Sequence, residues 1–360
     1  MSAFKDSYTN TWACKFRYTN MQGETKQHKK TGFSTKKEAD MYEKEFLDKL
    51  KESTGITFKS LYEYYIKDCE ARLKPTTVKN KRIVMEKWIN PFFQDLKIED
   101  ITPLKVRSWQ TTMMNNKNHY SPVYLKGLNN HLSAILNFAV RVYGLKKNPC
   151  LTVGCMGKSK SRSMDFWTIE EFNQFIDVYS DNPKIQLAFY LLYFSGMRCG
   201  EMLALNYQDF NFFDNTVSIT KSYARIDGKD LIQKPKTEQS IRTIPLPPFI
   251  MAMVKAYRSR LKGYQDTERL FPHTKWYFRD YLVKGCKLSK VKQIRIHDIR
   301  HSHATLLINN DVPIKQVSAR LGHEDIKVTL NTYAHLYTEK ESELTDKLQS
   351  IGIQNQLKVV

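Results

Sequence analysis

The sequence predicts a mainly α-helical protein with small β-sheets, divided into several regions. Its 360 residues exceed the roughly 100–200 residues of an ordinary domain, so a single core is not expected. Helical periodicity and capping signals dominate the chain, but apolar and polar residues alternate near the N-terminus and again past residue 214. We therefore expect a small domain with a three-stranded sheet and a helix at 1–55, an all-α domain at 56–149, a linker at 150–164, and a mixed α/β domain with a C-terminal tail at 165–360.

The N-terminal region reads as two basic strands followed by a helix. Apolar side chains alternate with basic ones in WACKFRY, so this strand would bury one face and expose the other, and KQHKKTGF follows as a second basic strand after a turn. The helix begins after Thr35, which stands in capping-box spacing with Glu38. The cationic face suits a groove or phosphate contact, although a solvated charged face fits this segment equally well. The candidate contacts are Lys15, Arg17, Lys29 and Lys30.

The second region carries the signals of four or five helices. One helix buries an apolar stripe in FKSLYEYYIKDC, and another has Ser121 as N-cap, Pro122 as first residue and Gly144 as stop. Between them, KPTTVKNKRIVMEKWI starts a helix with cations in its first turns, which oppose the helix dipole and favour a phosphate partner. The linker after this region is rich in Gly, Ser and Lys and could track a DNA backbone. The candidate contacts are Lys79, Lys81, Arg82, Lys158 and Lys160.

The third region mixes helices with a β-ribbon. Thr168 and Glu171 form a second capping-box spacing, and LAFYLLYF at 187–194 predicts a buried helix. A β-rich stretch follows, in which β-branched residues alternate around the Asp227-Gly228 turn. The pattern returns to helices from Phe249 onward.

Charge and cysteine content narrow the function. Lys and Arg outnumber Asp and Glu by 57 to 37, a formal charge of +20, which favours nucleic acid as partner, then an acidic membrane surface. A merely basic soluble protein remains the alternative. The longest apolar run is far shorter than the roughly 20 residues that span a bilayer. Six scattered cysteines without a C-x-x-C pair predict reduced thiols and a cytosolic protein.

The segment HDIRHSHATLLINN at 297–310 concentrates histidines in a chain that has nine. His301 and His303 stand two apart, about 200° around a helix, and no H-E-x-x-H pattern is present, so a zinc site is disfavoured. For His303 we prefer a core histidine satisfied by backbone groups. His297 and Arg300 share a helical face, and a guanidinium beside an imidazole suits a phosphate.

Other segments supply matching groups. FSGMRCGEMLALNYQDF places Arg198 after a buried helix, with Glu201 positioned to orient it. KPKTEQSIRTIPL offers Lys236 at a turn. LGHEDIKVTLNTYAHLY places His323 after a Gly-stopped helix and Tyr333 ten residues later. A phenol with a pKa of about 10 is a poor nucleophile at neutral pH, so it needs a cationic pocket. Two arginines and a lysine would provide that pocket without a metal.

The order R-x-x-E, K, H-x-x-R, L-G-H and Y resembles the tyrosine recombinases, the phage integrase family. The match is carried by SGMRCGEML, HDIRHSHAT and LGHEDIKVTLNTYAH and spans the third region. The first region looks like the arm-type DNA-binding domain of lambda-like integrases, and the second like their helical, SAM-like core-binding domain. The resemblance implies a tyrosine-recombinase catalytic domain and a site-specific integrase of a temperate phage or mobile element.

The resemblance also implies a role for each matched residue. Tyr333 would attack the scissile phosphate, giving a 3′-phosphotyrosine and a free 5′-hydroxyl. Two arginines would clamp the non-bridging oxygens, a lysine would be the general acid, and two histidines would bond the phosphate, supported by a carboxylate and a further histidine. The two arginines are Arg198 and Arg300, and the lysine is Lys236. The two histidines that bond the phosphate are His297 and His323, the carboxylate is Glu201, and the further histidine is His301. The alternative lysine is Lys234, which we place on the same strand face.

The implied partners are double-stranded DNA with core-type and arm-type attachment sites, three further protomers in a tetramer on a Holliday junction, and optionally a host DNA-bending protein and an excision factor. No cofactor is expected. The segment EKESELTDKLQSIGIQNQLKVV could dock on a neighbouring protomer or be a frayed tail.

Three other functions stay open at this stage. A Xer-type dimer resolvase shares the chemistry but usually lacks the extra N-terminal sheet. A type IB topoisomerase would relax DNA without a paired site. A non-catalytic DNA-binding regulator would use PIKQVSARLGHEDIKVTLNTY as a helix-turn-helix and bind without cleaving.

Overall fold

The computed structural model describes residues 3–6, 11–19, 25–158, 165–235, 238–338 and 348–349. They belong to two compact units, Met1–Arg162 and Ser163–Val360. Helices predominate in both units and the sheets are small, which confirms the predicted fold class. Among the described residues, no helix is both long and apolar enough to cross a membrane.

The first unit begins with an antiparallel sheet covered by a helix. Its strands pair in the order β1-β2-β3, which confirms the predicted three-stranded sheet. Cys14 and Phe16 are buried against the helix, whereas Lys15 and Arg17 are exposed, as the alternation predicted. The turn predicted between the basic strands falls mostly on residues 20–24, outside the described part. The elements are β1 (Ala3–Lys5), β2 (Trp12–Thr19), β3 (Thr25–Phe33) and α1 (Lys36–Thr54).

The predicted capping box of α1 is present. The Thr35 side chain accepts a hydrogen bond from the Glu38 backbone, and the Glu38 carboxylate accepts one from the Thr35 backbone. Both bonds satisfy N–H groups that the first helical turn leaves without partners. The sequence therefore fixes where this helix starts.

The rest of the first unit is a helical domain with its own core. The apolar stripe predicted around Phe58 is buried, and Ser121 caps the longest helix of the group as predicted. A π-helical turn at Met85–Ile89 separates the third and fourth helices of the unit. The helices are α2 (Phe58–Arg72), α3 (Pro75–Val84), α4 (Asn90–Phe93), α5 (Pro103–Met114), α6 (Pro122–Val142) and α7 (Pro149–Val153).

The linker predicted from residue 150 is wrong at its N-terminal end. Residues 149–153 form α7, and Cys150 and Met156 are buried in the helical core. A buried Gln110 side chain also donates to the Gly154 carbonyl at 2.8 Å. The stretch is rich in Gly, Ser and Lys, a composition typical of a linker. Its two buried apolar side chains nevertheless anchor it in the core.

The second unit combines helices and short strands around one apolar core. Its helix over 183–195 is buried as LAFYLLYF predicted, and the Thr168 capping box is present. The elements up to the ribbon are α8 (Ile169–Asp177), α9 (Pro183–Ser195), α10 (Cys199–Ala204), β4 (Phe210–Asn211), β5 (Thr216–Ile219), β6 (Ser222–Ile226) and β7 (Lys229–Gln233). The elements after it are β8 (Arg242–Pro245), α11 (Pro248–Arg260), α12 (Lys275–Ser289), α13 (Asp298–Asn309), α14 (Ile314–Leu321) and α15 (Ile326–Thr338).

The β-rich stretch of this unit divides into two sheets. Strands β4, β5 and β8 form one antiparallel sheet, and β6 and β7 form a separate ribbon. Asp227 and Gly228 join the ribbon strands with φ angles of 50° and 77°, the left-handed pair that a two-residue hairpin turn favours. The Asp-Gly signal thus predicted this turn.

Candidate active site

Four chain segments of the second unit meet at the predicted catalytic residues. Helix α9 ends at Gly196, whose φ of 67° lets the chain reverse and enter α10. Arg198 is the N-cap of α10, and α13 carries Arg300. Gly322 ends α14, also in the left-handed region, and α15 then carries Tyr333.

Glu201 lies between two arginines. Its carboxylate accepts from Nη1 of Arg198 at 2.7 Å and from Nη2 of Arg242 at 2.9 Å, and it also caps the Arg198 backbone N–H at 2.8 Å. Burial acts to raise the pKa of this carboxyl, but the hydrogen bond and charge of Arg242 outweigh it and lower the pKa. Glu201 is therefore a buried carboxylate that orients Arg198, as predicted.

The Arg300 guanidinium is buried and held by two helix ends. It donates to the Gly196 carbonyl at 2.9 Å and to the Leu321 carbonyl at 2.6 Å. These carbonyls lie at the C-terminal ends of α9 and α14, where the helix dipoles present partial negative charge. Burial and then the charge of Arg198 lower the pKa of Arg300 to about 9. The charge of Arg198 thus disfavours the charged form of Arg300.

Three histidines lie near Arg300: His301 and His323 are half-buried, and His297 is exposed. His297 and His301 pack edge to face with ring centroids 5.3 Å apart. Nδ1 of His323 lies 2.7 Å from the Thr329 hydroxyl oxygen. Burial, followed by nearby positive charge, lowers the pKa of His297 and lowers the pKa of His323 to about 4. These imidazoles are neutral at physiological pH.

Tyr333 is buried at the centre of this group. Its side chain is 3% exposed, and its hydroxyl oxygen lies 2.6 Å from Nδ1 of His301. Burial raises the pKa of Tyr333 despite the opposing charge of Arg300. His301, predicted only to support the site, thus contacts the hydroxyl directly.

Two neighbours of the motif are structural. His303 is buried, as predicted, and its Nε2 accepts from Nε of Arg320 at 3.1 Å. The Ser302 hydroxyl accepts from the Trp167 backbone N–H at 2.9 Å and donates to the Asp298 carbonyl at 3.0 Å. Ser302 therefore fixes α13 against the start of the unit.

The predicted general acid falls outside the described residues. These omit Lys236, so its assignment stays a prediction. Lys234 follows β7, which ends at Gln233, so Lys234 itself lies just past the strand. Residue 160 is also outside the described part, and Lys158 is exposed.

The candidate contacts on the N-terminal sheet divide between its faces. Lys15 pairs across the strands with Lys29 on the exposed face, and Arg17 follows two residues along β2. Lys30 is instead opposite the buried Cys14, with its ammonium 4.2 Å from the Tyr42 ring centroid on α1. Lys29 and Lys30 are adjacent in β3, so their side chains point to opposite faces of the sheet, and the role of Lys30 in DNA contact stays a prediction.

The dipole argument for α3 is also wrong. Lys81 and Arg82 lie in its last turn, not its first. Lys81 donates to the Tyr65 hydroxyl at 2.8 Å, and Arg82 pairs with Glu70 on α2. Their positions are explained by partners on a neighbouring helix, which sequence spacing does not reveal, and Lys79 is half-buried beside them.

Sequence reasoning missed Arg242 and Thr329. Arg242 bonds Glu201, the Arg320 carbonyl at 2.8 Å and the Ser240 carbonyl at 2.9 Å. Thr329 is fully buried against His323. The one feature of the sequence that could have indicated Arg242 is its position as a basic residue within a predicted strand.

The arrangement combines arginines and histidines with a buried tyrosine hydroxyl, the groups that phosphodiester chemistry requires. Arg198 is partly exposed, Arg300 is buried, and the positive charge of Arg300 acts on the Tyr333 hydroxyl. Within the described part of the chain, no group of three His, Cys, Asp or Glu residues could hold a metal ion. The fold and the site together define an enzyme that transfers phosphoryl groups through a tyrosine.

Comparison with known proteins agrees with that class. The phage integrase family matches residues 162–340, its N-terminal SAM-like domain matches 57–114, and an arm DNA-binding domain matches 4–50. The ICEBs1 integrase of Bacillus subtilis (strain 168) is 30% identical over 344 residues, 88% of this chain and 91% of the relative. The chain belongs to the phage integrase family. It is a site-specific tyrosine recombinase of the integrase type, and DNA is its partner, which confirms the resemblance seen in the sequence.

Solved structures share the fold at low identity. The Tn1549 transposon integrase in complex with circular intermediate DNA has a TM-score of 0.68 at 20% identity, over 81% of this chain and all of that one (100%). A lambda integrase tetramer bound to a Holliday junction has a TM-score of 0.59 at 15% identity, over 90% of this chain and 96% of that one.

Proposed function

We propose that Tyr333 is the nucleophile with which this integrase cuts and rejoins DNA. The chain has twenty tyrosines. The observation that carries the proposal is that the hydroxyl of this one lies in a buried group of arginines and histidines from separate segments. Such a group stabilises the charge that develops on a phosphate during attack.

The other predicted residues complete the reaction. Arg198 and Arg300 clamp the non-bridging oxygens, and Glu201 orients Arg198. His297 and His323 hydrogen-bond the phosphate. The tyrosine oxygen bonds to phosphorus while the 5′-oxygen leaves with a proton, for which Lys236 is our candidate donor. The phosphotyrosine stores the bond energy, so rejoining needs no nucleotide cofactor.

At the level of the assembly, we propose a homotetramer that exchanges strands through a Holliday junction and thereby integrates and excises a phage or mobile element. The likeness to the lambda tetramer and to the Tn1549 integrase supports this proposal. The exposed face of the N-terminal sheet would hold arm-type sites and the helical domain core-type sites. A host DNA-bending protein and an excision factor fit the same scheme, and the reaction would take place in the bacterial cytoplasm.

The first test is a suicide duplex nicked beside the crossover point of the element's own end. Wild-type protein should give an SDS-resistant, protease-sensitive adduct in EDTA, and Tyr333→Phe should give none. Tyr64→Phe, which changes an exposed tyrosine of the first unit, is the matched control and should react normally. Tight binding without an adduct in wild-type protein would instead support a non-catalytic DNA-binding regulator.

A further inference from the structure

The hydroxyl of Tyr333 is hydrogen-bonded to a histidine that the roles above leave without a chemical step. Its oxygen lies 2.6 Å from Nδ1 of His301, and the ring centroids are 5.9 Å apart. A contact this short is at the strong end of hydrogen-bond lengths. Because Tyr333 is 3% exposed, bulk water scarcely competes for the hydroxyl. The attacking atom therefore already touches a proton acceptor.

The direction of this hydrogen bond follows from the two pKa values. Burial above all lowers the pKa of His301, to about 4. Burial raises the pKa of Tyr333. At physiological pH the tyrosine keeps its proton and donates it to the free lone pair on Nδ1, so the imidazole carries its own proton on Nε2.

The charges around His301 change when DNA binds. The groups that face it are Arg295 and His297 just before α13, Asp298 and Arg300 on α13, His323 before α15 and Tyr333 on α15. The arginines disfavour an imidazolium, and Asp298 favours it. A phosphodiester on the arginines adds negative charge that offsets them, so the imidazole becomes a better proton acceptor with substrate in place.

We propose that His301 is the general base that accepts the proton of Tyr333 during strand cleavage. The inference rests on the proposed role of Tyr333. As the bond from the tyrosine oxygen to phosphorus forms, the proton moves to Nδ1. The bond from phosphorus to the 5′-oxygen breaks, and that oxygen takes a proton from the general acid. On rejoining, the 5′-hydroxyl attacks phosphorus, loses its proton to that same acid residue, and the departing tyrosine oxygen recovers its proton from His301.

Two substitutions separate proton transfer from mere positioning. His301→Asn retains an amide near the position of Nδ1, which can hold the tyrosine by a hydrogen bond but cannot take its proton. His301→Ala leaves a space that added imidazole can fill. General-base catalysis is worth about 10²–10⁴-fold, so both variants should form adduct at least about 100-fold more slowly. Imidazole in the buffer should restore the alanine variant in proportion to its neutral form. His119→Asn, at an exposed histidine of the first unit, is the control.

A modified substrate distinguishes a base from an acid. A sulfur in place of the 5′-bridging oxygen leaves without needing a proton, so it should restore Lys236→Ala but leave His301→Asn slow. Melting temperature and duplex affinity are measured on each variant. Asparagine activity at the wild-type level would overturn the proposal, as would restoration of His301→Asn by sulfur. A wild-type protein that forms no adduct would instead remove the proposed function on which the inference rests.

Discussion

At the residue scale, the active site depends on a carboxylate shared by two guanidinium groups. Arg242 is 7% exposed in its side chain and Glu201 is 2% exposed, so neither charge is solvated by bulk water. Such a pair costs free energy to bury, and removing one partner leaves the other charge uncompensated. Arg242 also donates to two backbone carbonyls, which joins β8 to the end of α14.

We expect Arg242→Ala to lower the free energy of unfolding by about 3 kcal/mol, because it leaves Glu201 and two carbonyls without a donor. Cleavage should also slow, since Glu201 then holds Arg198 alone. Urea unfolding and the suicide-duplex assay measure the two effects. Arg225→Ala is the control: its ion pair with Asp230 is half-exposed, so the expected change is at most about 1 kcal/mol. Equal effects of the two substitutions would refute this account of Arg242.

At the element scale, two helix ends create the binding place for Arg300. Helices α9 and α14 each stop at a glycine with a φ of 67°, and their final carbonyls point at one guanidinium. The sequence shows both glycines, but the convergence of the two helix ends depends on packing across the unit.

Replacing Gly196 tests that convergence. In Gly196→Ala the new methyl group would lie 2.4 Å from Cδ2 of His303, and the left-handed backbone adds about 1 to 2 kcal/mol. We expect a loss of about 2 to 4 kcal/mol in stability, together with a loss of cleavage as the Arg300 contact shifts. Gly228→Ala has a φ of 77° and open space, so it isolates the backbone cost and should cleave normally. The measurements are urea denaturation and adduct yield.

The N-terminal sheet is a second element with a definite charge pattern. Lys15 lies directly opposite Lys29, and like charges in that relation destabilise a sheet. The salt bridge from Lys29 to Asp6 at 3.2 Å offsets part of this repulsion. A phosphate backbone on the exposed face would offset the rest.

Lys15→Ala combined with Arg17→Ala should weaken binding to an arm-type duplex and reduce the salt slope of log K by about 2. Binding to a core-type duplex should be unchanged. The control is Lys36→Ala with Lys37→Ala, which removes the same charge from the start of α1, the helix that covers the other face. Fluorescence anisotropy across a series of salt concentrations gives both slopes, and equal losses in the two double variants would argue against a specific face.

At the scale of the whole molecule, buried histidines link stability to pH. Burial lowers the pKa of His303 to about 3 and those of His301 and His323 to about 4. In the unfolded chain these groups titrate near about 6.5. Below that pH these histidines bind protons in the unfolded state but stay neutral in the folded state, so acid favours unfolding.

We therefore expect stability to be nearly constant above pH 7 and to fall as the pH drops from about 6.5 towards 4. His303 alone should contribute a loss of about 2 kcal/mol at pH 5. Urea unfolding at pH 7.5 and pH 5 measures the loss, which should be smaller in His303→Gln and unchanged in His119→Asn. A protein that becomes more stable towards pH 5 would contradict the sign.

The sequence by itself determined the local structure and the order of the reactive residues. Capping boxes at Thr35 and Thr168, the Asp227-Gly228 turn and the alternation in β2 depend on neighbours in the chain, and each is observed. The motif around Arg300 identified the family for the same reason, since its spacing is local.

Only the tertiary structure decided which of these groups touch. Arg242 meets the Arg320 carbonyl across 78 positions of the chain, and His301 meets Tyr333 across 32. Lys81 and Arg82 were misread because their partners lie on another helix, and residues 150–156 because burial, not composition, places them in the core. Periodicity indicates the face on which a side chain lies, whereas the packing of whole helices decides which side chain lies opposite. That packing places His301 beside Tyr333.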